Sequence, residues 1–571
     1  MTNRAWKIKE NGYASEIKKL ADELTVDPVI STLLVQRGIK TFDQAKAFFR
    51  PDLASLHDPF LMKDMDKAVG RLELALKNDE KILVYGDYDV DGTTSVAMMI
   101  SFLRNFTDKT DYYIPDRYTE GYGVSFKGVD YAISHGMSLI IALDCGIKAV
   151  EKVAYARDHG IDFIICDHHN PGPSLPDAIA VLDPERPDET YPFHHLSGCG
   201  VGFKLLQAFT IKNNIPFGEV AQFLDLLAVS IASDIVPVTG ENRILAFHGL
   251  KKLNENPCVG LKSIICIAGL TDKNIAIDDI VFKIGPRINA AGRIESGKQA
   301  VELLVSEKAD EAALHCEKVN SHNLTRRNID KTITEEALIE IARMDKYKFS
   351  TVLFNPGWHK GVVGIVASRL IESYFRPTII LTESNGHATG SARSIPGFDL
   401  YSAINECSDL LESFGGHMYA AGITLKTDNL QKFRDRFEEV VRNTVTPELL
   451  IPQVEIDAEL NFKDITPKLL RILKQFEPFG PENTSPVFFA ENVSDNGYAR
   501  LVGADTEHLQ LGLIQEENPF TVYRAIAFNQ ASHLSRIKKG TSFDIAYTLF
   551  ENNFRGNTTI QLNIKDIKIE N

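Results

Sequence analysis

Short apolar runs alternate with helix-like segments over the first half of the chain. The run at 82–85 (ILVY) has the pattern of a buried strand, and the segment at 95–106 (SVAMMISFLRNF) has helical spacing without a helix breaker. The same strand pattern recurs in SLIIALDCG (138–146), IDFIICDHHNPGP (161–173) and AIAVLDP (178–184). Apolar strands that alternate with helices are typical of a parallel sheet covered on both faces. The pattern therefore predicts an α/β protein.

Charged and imidazole side chains follow three of these strands at the point where each strand ends. They are Asp87, Asp89 and Asp91 after the first strand, Asp144 after the second, and Asp167, His168 and His169 after the third. The carboxyl ends of parallel strands are neighbours, so these side chains are expected to converge. Crowded carboxylates repel one another unless a multivalent cation lies between them. A carboxylate-rich site with one or two imidazoles suits Mn²⁺ or Mg²⁺ better than structural zinc.

Asp234 lies in the otherwise apolar segment 223–243 and is a further candidate ligand. A carboxylate in apolar surroundings is costly unless it is paired or bound to metal. Each candidate has an ordinary structural alternative, because Asp and Gly are turn residues and a strand-end Asp can cap the next helix. The Gly-rich segment 197–207 (SGCGVGFKLLQ) is interpreted as a closely packed helix start, since it lacks the spacing of a nucleotide-binding loop.

The middle of the chain changes character. Segment 282–298 (FKIGPRINAAGRIESGK) sets arginines among small residues, which suits a phosphate grip or an ordinary solvated loop. Segment 307–345 is polar and lacks Gly and Pro, so it predicts a helix of about 50 Å that connects two lobes. Arg326 and Arg327 on this helix are interpreted equally well as groove contacts or as a solvated face.

The second half of the chain begins with another strand-and-helix segment, at 346–430, and ends with short alternating strands at 452–571. Several short strands that end in a long amphipathic one predict a small barrel of the OB type. Such barrels bind single strands through aromatic and basic side chains. The candidates for this role are Tyr523, Arg524, Arg536, Lys538, Lys539 and Arg555.

Composition narrows the class of protein. At 571 residues the chain is long enough for three or four domains. Its formal charge of −15 means that any polyanion must be held by a local basic groove or through metal ions. Seven cysteines without a CxxC pair argue against a disulfide framework and a zinc ribbon. With no apolar signal segment and no run of eighteen apolar residues, we expect a cytoplasmic protein that is not membrane-bound.

Four motifs, GDYDVDG, LDCG, CDHHNPG and SDIVP, occur in this order and resemble those of the DHH phosphoesterase superfamily. GDYDVDGTTS and GPRINAAGR are similar to motifs of the RecJ single-strand DNA exonucleases, and GGHMYAAG resembles a DHHA1-type domain. The resemblance implies a two-lobed α/β core, with a parallel-sheet DHH lobe and a DHHA1-type lobe joined by a long helix, and a C-terminal all-β OB-fold barrel. The expected domains are a helical covering segment (1–60), the DHH catalytic domain (61–300), the connector helix (301–345), the DHHA1-type domain (346–450) and the OB-fold domain (451–571).

The resemblance also implies a site with two Mn²⁺ or Mg²⁺ ions. It assigns the metal ligands to Asp89, Asp91, Asp144, His168 and Asp234, with Asp144 bridging, and places Asp87 as a further or neighbouring ligand and His169 near the phosphate. On the residues alone, His417 is interpreted as an ordinary core or surface histidine. By resemblance, the phosphate- or DNA-binding set is Arg117, Tyr122, Arg287, Asn289, Arg293, Arg369, Ser391, Arg393 and His417.

The implied function is metal-dependent 5′→3′ degradation of single-stranded DNA to mononucleotides, in DNA repair and recombination. The direction rests on the resemblance alone. A DHH phosphodiesterase for nano-RNA or small nucleotides and a non-catalytic replication scaffold are the alternatives. The former relatives are generally shorter, and the filled ligand positions argue against a scaffold. A single-strand-binding protein or a recombination helicase is the partner that the resemblance suggests.

Overall fold

The computed structural model describes residues 4–10, 12–344, 347–537, 541–554 and 557–569. It divides into two compact units, one of residues 52–445 and one that combines residues 1–51 with 446–571. Among the described residues, no helix combines the length and the apolar character needed to cross a membrane.

The N-terminal part of the composite unit is mostly helical. Thr41 caps its third helix, because its side chain accepts a hydrogen bond from the Gln44 amide at 3.2 Å. The elements are β1 (Ala5–Ile8), α1 (Ala14–Leu24), α2 (Pro28–Gln36) and α3 (Phe42–Phe49).

The unit of residues 52–445 begins with an α/β lobe whose strands are all parallel. Their order in the sheet is β3-β2-β4-β5-β6. Alternate residues of β2 enter two different cores, Ile82 and Val84 on one face and Leu83 and Tyr85 on the other, so the predicted two-sided burial is confirmed. The elements are α4 (Met65–Lys77), β2 (Ile82–Gly86), α5 (Val90–Leu103), β3 (Thr110–Tyr113), α6 (Phe126–His135), β4 (Leu139–Leu143), α7 (Val150–Asp158), β5 (Asp162–Cys166) and β6 (Ala180–Leu182).

A helical layer follows this sheet and ends in the predicted long connector. A π-helical turn, Ile280–Ile284, leads into α14. The helices are α8 (Gly198–Lys212), α9 (Gly218–Ala221), α10 (Leu224–Asp234), α11 (Gly240–Glu255), α12 (Val259–Ile267), α13 (Ile277–Asp279), α14 (Gly285–Ile294), α15 (Lys298–Leu304) and α16 (Ala309–Ala342). The connector α16 has 34 residues, which gives it a length of about 50 Å.

The same unit contains a second, mixed sheet with the strand order β10-β11-β9-β8-β7. Only β7 and β8 pair in parallel in this sheet, as far as the described strands show. Its elements are β7 (Thr351–Phe354), α17 (Val363–Tyr374), β8 (Thr378–Ser384), β9 (His387–Arg393), α18 (Leu400–Asn405), β10 (Ser413–His417), β11 (Ala420–Lys426) and α19 (Leu430–Thr444).

The C-terminal part of the composite unit is a closed barrel. Its strands run β14-β18-β19-β17-β16, and β16 pairs back to β14, so the expected small barrel is confirmed. β1 pairs in parallel with β12, which ties the N-terminal segment to this part. The elements are β12 (Gln453–Ile456), β13 (Ala458–Glu459), α20 (Pro467–Lys474), β14 (Phe488–Asp495), β15 (Arg500–Val502), β16 (His508–Gln515), β17 (Asn518–Ala527), β18 (Ser542–Phe554) and β19 (Asn557–Lys568).

Candidate active site

The loop after β2 delivers three carboxylates in a tight strand-to-helix turn. Asp89 is the N-cap of α5, and its Oδ1 accepts a hydrogen bond from the Gly92 amide at 3.0 Å. A Cβ atom on Gly92 would lie 2.4 Å from the carbonyl oxygen of Asp87, so only glycine fits this turn. Asp87 and Asp91 are buried. The turn thus holds acidic side chains where water cannot freely solvate them.

Asp91 is fixed by the start of another helix. Its Oδ2 accepts from the Gly198 amide at 2.6 Å, and its Oδ1 accepts from the Cys199 amide at 2.8 Å and from the Ser230 hydroxyl at 2.7 Å. A Cβ atom on Gly198 would lie 2.5 Å from the Cβ of Asp144. Close packing at the Gly-rich segment is therefore confirmed. Sequence reasoning missed that the first amides of α8 orient a carboxylate of the site, because no local pattern indicates such a contact.

Side chains from three further elements meet at the imidazole of His168. Its Nε2 lies 3.2 Å from Asp144 Oδ1, 3.5 Å from Asp234 Oδ2 and 3.7 Å from Asp91 Oδ2. Asp144 follows β4 in a left-handed conformation with φ of 57°, which is uncommon outside Gly, Asn and Asp. The convergence expected at the strand ends is therefore present, and it includes Asp234 from the end of α10.

Several atoms of this cluster make no hydrogen bond within the described part of the chain. Asp87 Oδ2, Asp144 Oδ2 and His168 Nε2 are buried without a hydrogen bond. Burial, and then repulsion from Asp91 and Asp89, raises the pKa of Asp144 well above its usual range. Burial, and then repulsion from Asp91, raises the pKa of Asp234 in the same way. Burial, and then repulsion from Asp89, raises the pKa of Asp87. Such a cluster lacks a positive charge at its centre.

The geometry fits a divalent cation. Ligand atoms of Asp91, His168 and Asp234 lie within 4.8 Å of one another, and so do those of Asp144, His168 and His169. The two groups share His168. Hard carboxylate oxygens with one or two imidazoles are the donors that Mn²⁺ and Mg²⁺ accept. The unpartnered buried atoms are where a cation would supply the missing interaction.

His169 is held in a separate dyad. Its Nδ1 lies 2.7 Å from Oδ1 of the buried Asp167, and its Nε2 lies 3.1 Å from the Tyr122 hydroxyl. Burial lowers the pKa of His169, but the hydrogen bond and the charge of Asp167 outweigh it and raise this pKa to about 9. His169 is therefore a cation at neutral pH, oriented by Asp167 beside the carboxylate cluster.

Arginines from both lobes gather near these carboxylates. Arg293 donates from Nη1 to the carbonyl of Gly361 at 3.1 Å, and Arg393 donates to the Ser391 hydroxyl at 2.7 Å. Burial, and then Arg117, lowers the pKa of both arginines, that of Arg293 to about 10. Cations that repel one another in a partly buried place form a site for an anion. The structure thus brings together four of the predicted phosphate-binding residues, Arg117, Arg293, Ser391 and Arg393.

Other predicted residues have different surroundings. Arg369 lies 3.0 Å from the buried carboxylate of Asp330, and Arg287 donates to the carbonyl of Lys283 at 2.6 Å. Asn289 is half-buried on α14. His417 is exposed on β10, and the described contacts link it to Tyr419. None of these contacts reaches the carboxylate cluster in the described residues, so the DNA-binding roles of these four residues stay predictions.

The barrel changes one expectation. Tyr523 is only 9% exposed and its ring packs on Phe462, with centroids 5.1 Å apart, so its proposed role in base stacking is wrong. The exposed Arg524 instead lies over the ring of Tyr498 at 3.5 Å, with Arg500 at 4.9 Å from the same ring. Sequence reasoning missed Tyr498, which stands in a turn-like segment. Lys538, Lys539 and Arg555 lie outside the described residues, and Arg536 donates to the carbonyl of Ile569 at 3.2 Å.

Comparisons with known proteins agree with this architecture. Family models match residues 81–231 (DHH family, N-terminal domain), 345–443 (DHHA1 domain) and 456–566 (RecJ OB domain). A single-stranded-DNA-specific exonuclease RecJ of Bacillus subtilis (strain 168) is 37% identical over 99% of this chain and 71% of its own length. The RecJ of Escherichia coli (strain K12) is 31% identical over 97% of this chain and 98% of its own length. A crystal structure of Thermus thermophilus RecJ with Mn²⁺ has a TM-score of 0.85 at 26% identity, covering 99% of this chain and 80% of that one.

Fold and site together define a phosphoesterase of the DHH class, with a DHHA1 lobe and an OB-type barrel. Full-length similarity narrows the class further. The chain belongs to the RecJ family of single-stranded-DNA-specific exonucleases.

Proposed function

We propose that the chain is a metal-dependent exonuclease that degrades single-stranded DNA to mononucleotides in the 5′→3′ direction. The observation that carries this proposal is the meeting of two uncompensated charge clusters, one of buried carboxylates and one of arginines. They are close enough for Arg117 to favour the ionised form of Asp87 and for Asp89 to favour the charged form of Arg293. A cation for the first cluster and a phosphate for the second would neutralise both.

The proposed metal ligands are those of the carboxylate cluster. Mn²⁺ and Mg²⁺ both suit these donors, and two ions per site is what the resemblance to the RecJ family implies. Bound there, the ions supply Lewis-acid charge that polarises a phosphoryl group and makes water a stronger nucleophile. The proposed ligands are Asp87, Asp89, Asp91, Asp144, His168 and Asp234.

The protein's own side chains supply orientation and charge. Arg117, Arg293 and Arg393 would bind phosphate oxygens, which guanidinium groups do with two parallel hydrogen bonds. His169 is cationic at neutral pH and would donate from Nε2 to a phosphoryl oxygen as negative charge develops there. Asp167 keeps the Nδ1 proton in place. The 5′→3′ direction rests on the resemblance, in which Arg117 and Tyr122 match residues near the DNA end.

The cellular location, biological role and partners of the enzyme are also proposed from its similarity to the RecJ family. Action on DNA supports a cytoplasmic role in repair and recombination, with a single-strand-binding protein or a recombination helicase as partner. The barrel supports binding of single strands, because Arg524, Tyr498 and Arg500 offer the cationic and aromatic groups that OB folds use.

The experiment that tests the proposal is digestion of a single-stranded DNA oligomer labelled separately at each end. We expect immediate release of a 5′-labelled mononucleotide with Mn²⁺ or Mg²⁺, and none with EDTA or with Asp89→Ala. Asp158→Asn is the matched control, because Asp158 is exposed at the end of α7 and should leave the rate unchanged. An intact oligomer, with hydrolysis of dinucleotides instead, would favour a small-nucleotide phosphodiesterase.

A further inference from the structure

Two large apolar side chains stand in solvent on two elements that pack against each other, the end of α10 and the π-helical turn before α14. Ile235 is 63% exposed and directly follows Asp234, and Phe282 is 74% exposed in the π-helical turn Ile280–Ile284. Single exposed apolar residues are common on protein surfaces. These two differ because each has an unusual backbone that presents it.

Ile235 ends α10 in a left-handed conformation, with φ of 62° and ψ of 30°. A β-branched residue is disfavoured there, and helix ends that need this conformation ordinarily carry glycine or asparagine. The neighbouring Val236 is buried in the core, whereas the Ile235 side chain is not. A strained apolar residue held in solvent next to a ligand of the site points to a functional use of its side chain.

The π-helical turn displays Phe282 in a comparable way. Ile280 and Ile284 of this turn are fully buried, so Phe282 is the large side chain that the turn directs outward. π-helical turns are rare and frequently mark functional sites. The guanidinium group of Arg287 also lies at this turn, where it donates a hydrogen bond to the carbonyl of Lys283 at 2.6 Å.

The two presenting elements pack against each other. A Cβ atom on Gly285, where α14 begins, would lie 2.7 Å from Oγ of Ser233 near the end of α10. The absence of a side chain at Gly285 therefore allows the π-helical turn to approach α10 closely. Ile235 lies two residues after Ser233, and Phe282 lies three residues before Gly285.

We propose that Ile235 and Phe282 form a contact surface for unpaired nucleobases that flank the scissile phosphate. The choice of occupant follows from the neighbours: Asp234 belongs to the metal-ligand cluster, and the Arg287 guanidinium is bonded to the same turn as Phe282. A single strand offers phosphates and exposed base faces together, whereas a duplex keeps its bases stacked inside. The Ile235–Phe282 surface thus favours single strands, and it rests on the proposed exonuclease function.

The test is the KM and kcat of Phe282→Ala and Ile235→Gly on a single-stranded DNA oligomer. Base stacking on an aromatic ring implies about a tenfold rise in KM for Phe282→Ala, with kcat changed much less. Phe282→Trp should restore the wild-type KM, because it keeps an aromatic face. Phe247→Ala is the control, since Phe247 is 38% exposed on α11 and lies outside this surface. Ile235→Gly should raise KM without lowering the melting temperature, because glycine tolerates the left-handed backbone.

Substrates with single abasic positions identify the ligand as a base. Moving one abasic position through the first nucleotides should raise the KM of the wild-type enzyme at one or two positions, and the same substrates should leave the KM of Phe282→Ala almost unchanged. Equal KM values for wild type and Phe282→Ala would overturn the proposed surface but not the exonuclease function. The same holds if an abasic position raises the KM of Phe282→Ala by the same factor as it raises the KM of the wild type. A wild-type protein that cleaves no oligomer would overturn both.

Discussion

The carboxylate cluster and the arginine cluster carry opposite charges, and different groups hold their side chains in place. The carboxylates are fixed by backbone amides and strand ends, as with Asp91 between Gly198 and Cys199. The arginines are fixed by carbonyl and hydroxyl oxygens, as with Arg293 on Gly361 and Arg393 on Ser391. Neither cluster neutralises itself. The comparison teaches that each is completed by a ligand, a cation in one case and a phosphate in the other.

The largest expected effect comes from removing a charge of the first cluster. Asp144→Asn should lower kcat by about a thousandfold, or about 4 kcal/mol of transition-state stabilisation. Without metal the variant should melt at a higher temperature than wild type, because one repelling carboxylate is gone. Thermal unfolding with and without Mn²⁺ checks this, since wild type should gain stability from the ion and the variant much less. A variant that melts lower than wild type in EDTA would contradict the repulsion.

A substitution in the arginine cluster should weaken the interaction with the DNA substrate and leave metal binding unchanged. Arg293→Gln should lower kcat/KM by about a hundredfold, because a phosphate loses one charged partner. Its stabilisation by Mn²⁺ should equal that of wild type. The salt dependence of DNA binding should also fall by about one unit of slope. Equal loss of metal binding in this variant would show that the two clusters do not act separately.

A smaller effect is expected from the support of Asp91. Ser230→Ala removes the hydroxyl that donates to Asp91 Oδ1 at 2.7 Å, while the two backbone amides remain. Removal of such a supporting contact should weaken Mn²⁺ binding about tenfold. Titration of Mn²⁺ against activity measures this, with Ser263→Ala on α12 as the control. An unchanged titration would mean that the amides alone orient Asp91.

The smallest effect on activity should come from an arginine that already has a partner. Arg369→Gln breaks the ion pair with the buried Asp330 and should lower the melting temperature by about 2–4 °C. Its exonuclease activity should fall less than about threefold, in contrast to Arg293→Gln. A large loss of activity at unchanged stability would instead support the predicted DNA-binding role of Arg369.

Topology explains why much of the site is predictable from the sequence. Parallel strands put their carboxyl ends together, so the strand pattern alone groups Asp87, Asp144 and His168. Asp234 is a predicted ligand because a carboxylate in an apolar helix is costly unless it is paired or bound to metal. The barrel and the two-sided parallel sheet follow from hydrophobic periodicity, and the connector helix follows from a long polar segment that lacks Gly and Pro.

Contacts between residues far apart in sequence are not predictable in this way. Asp91 and Gly198 are 107 residues apart, and no local pattern links a helix start to that carboxylate. The partner of Arg369 is hidden for the same reason. Alternation along β17 shows that its residues take turns on two faces but not which face is buried, and this is why the prediction for Tyr523 is wrong. The π-helical turn has no sequence signature at all.

The amides that hold Asp91 have a consequence for the rate at which ions exchange. They are fixed by the fold of α8, so the ligand geometry is already present before an ion arrives. Loading should then involve little rearrangement of the protein. Its speed should follow how quickly each ion sheds its water, so Mn²⁺ should load faster than the reluctantly dehydrating Mg²⁺. A rapid-mixing measurement of activity onset would read this difference directly.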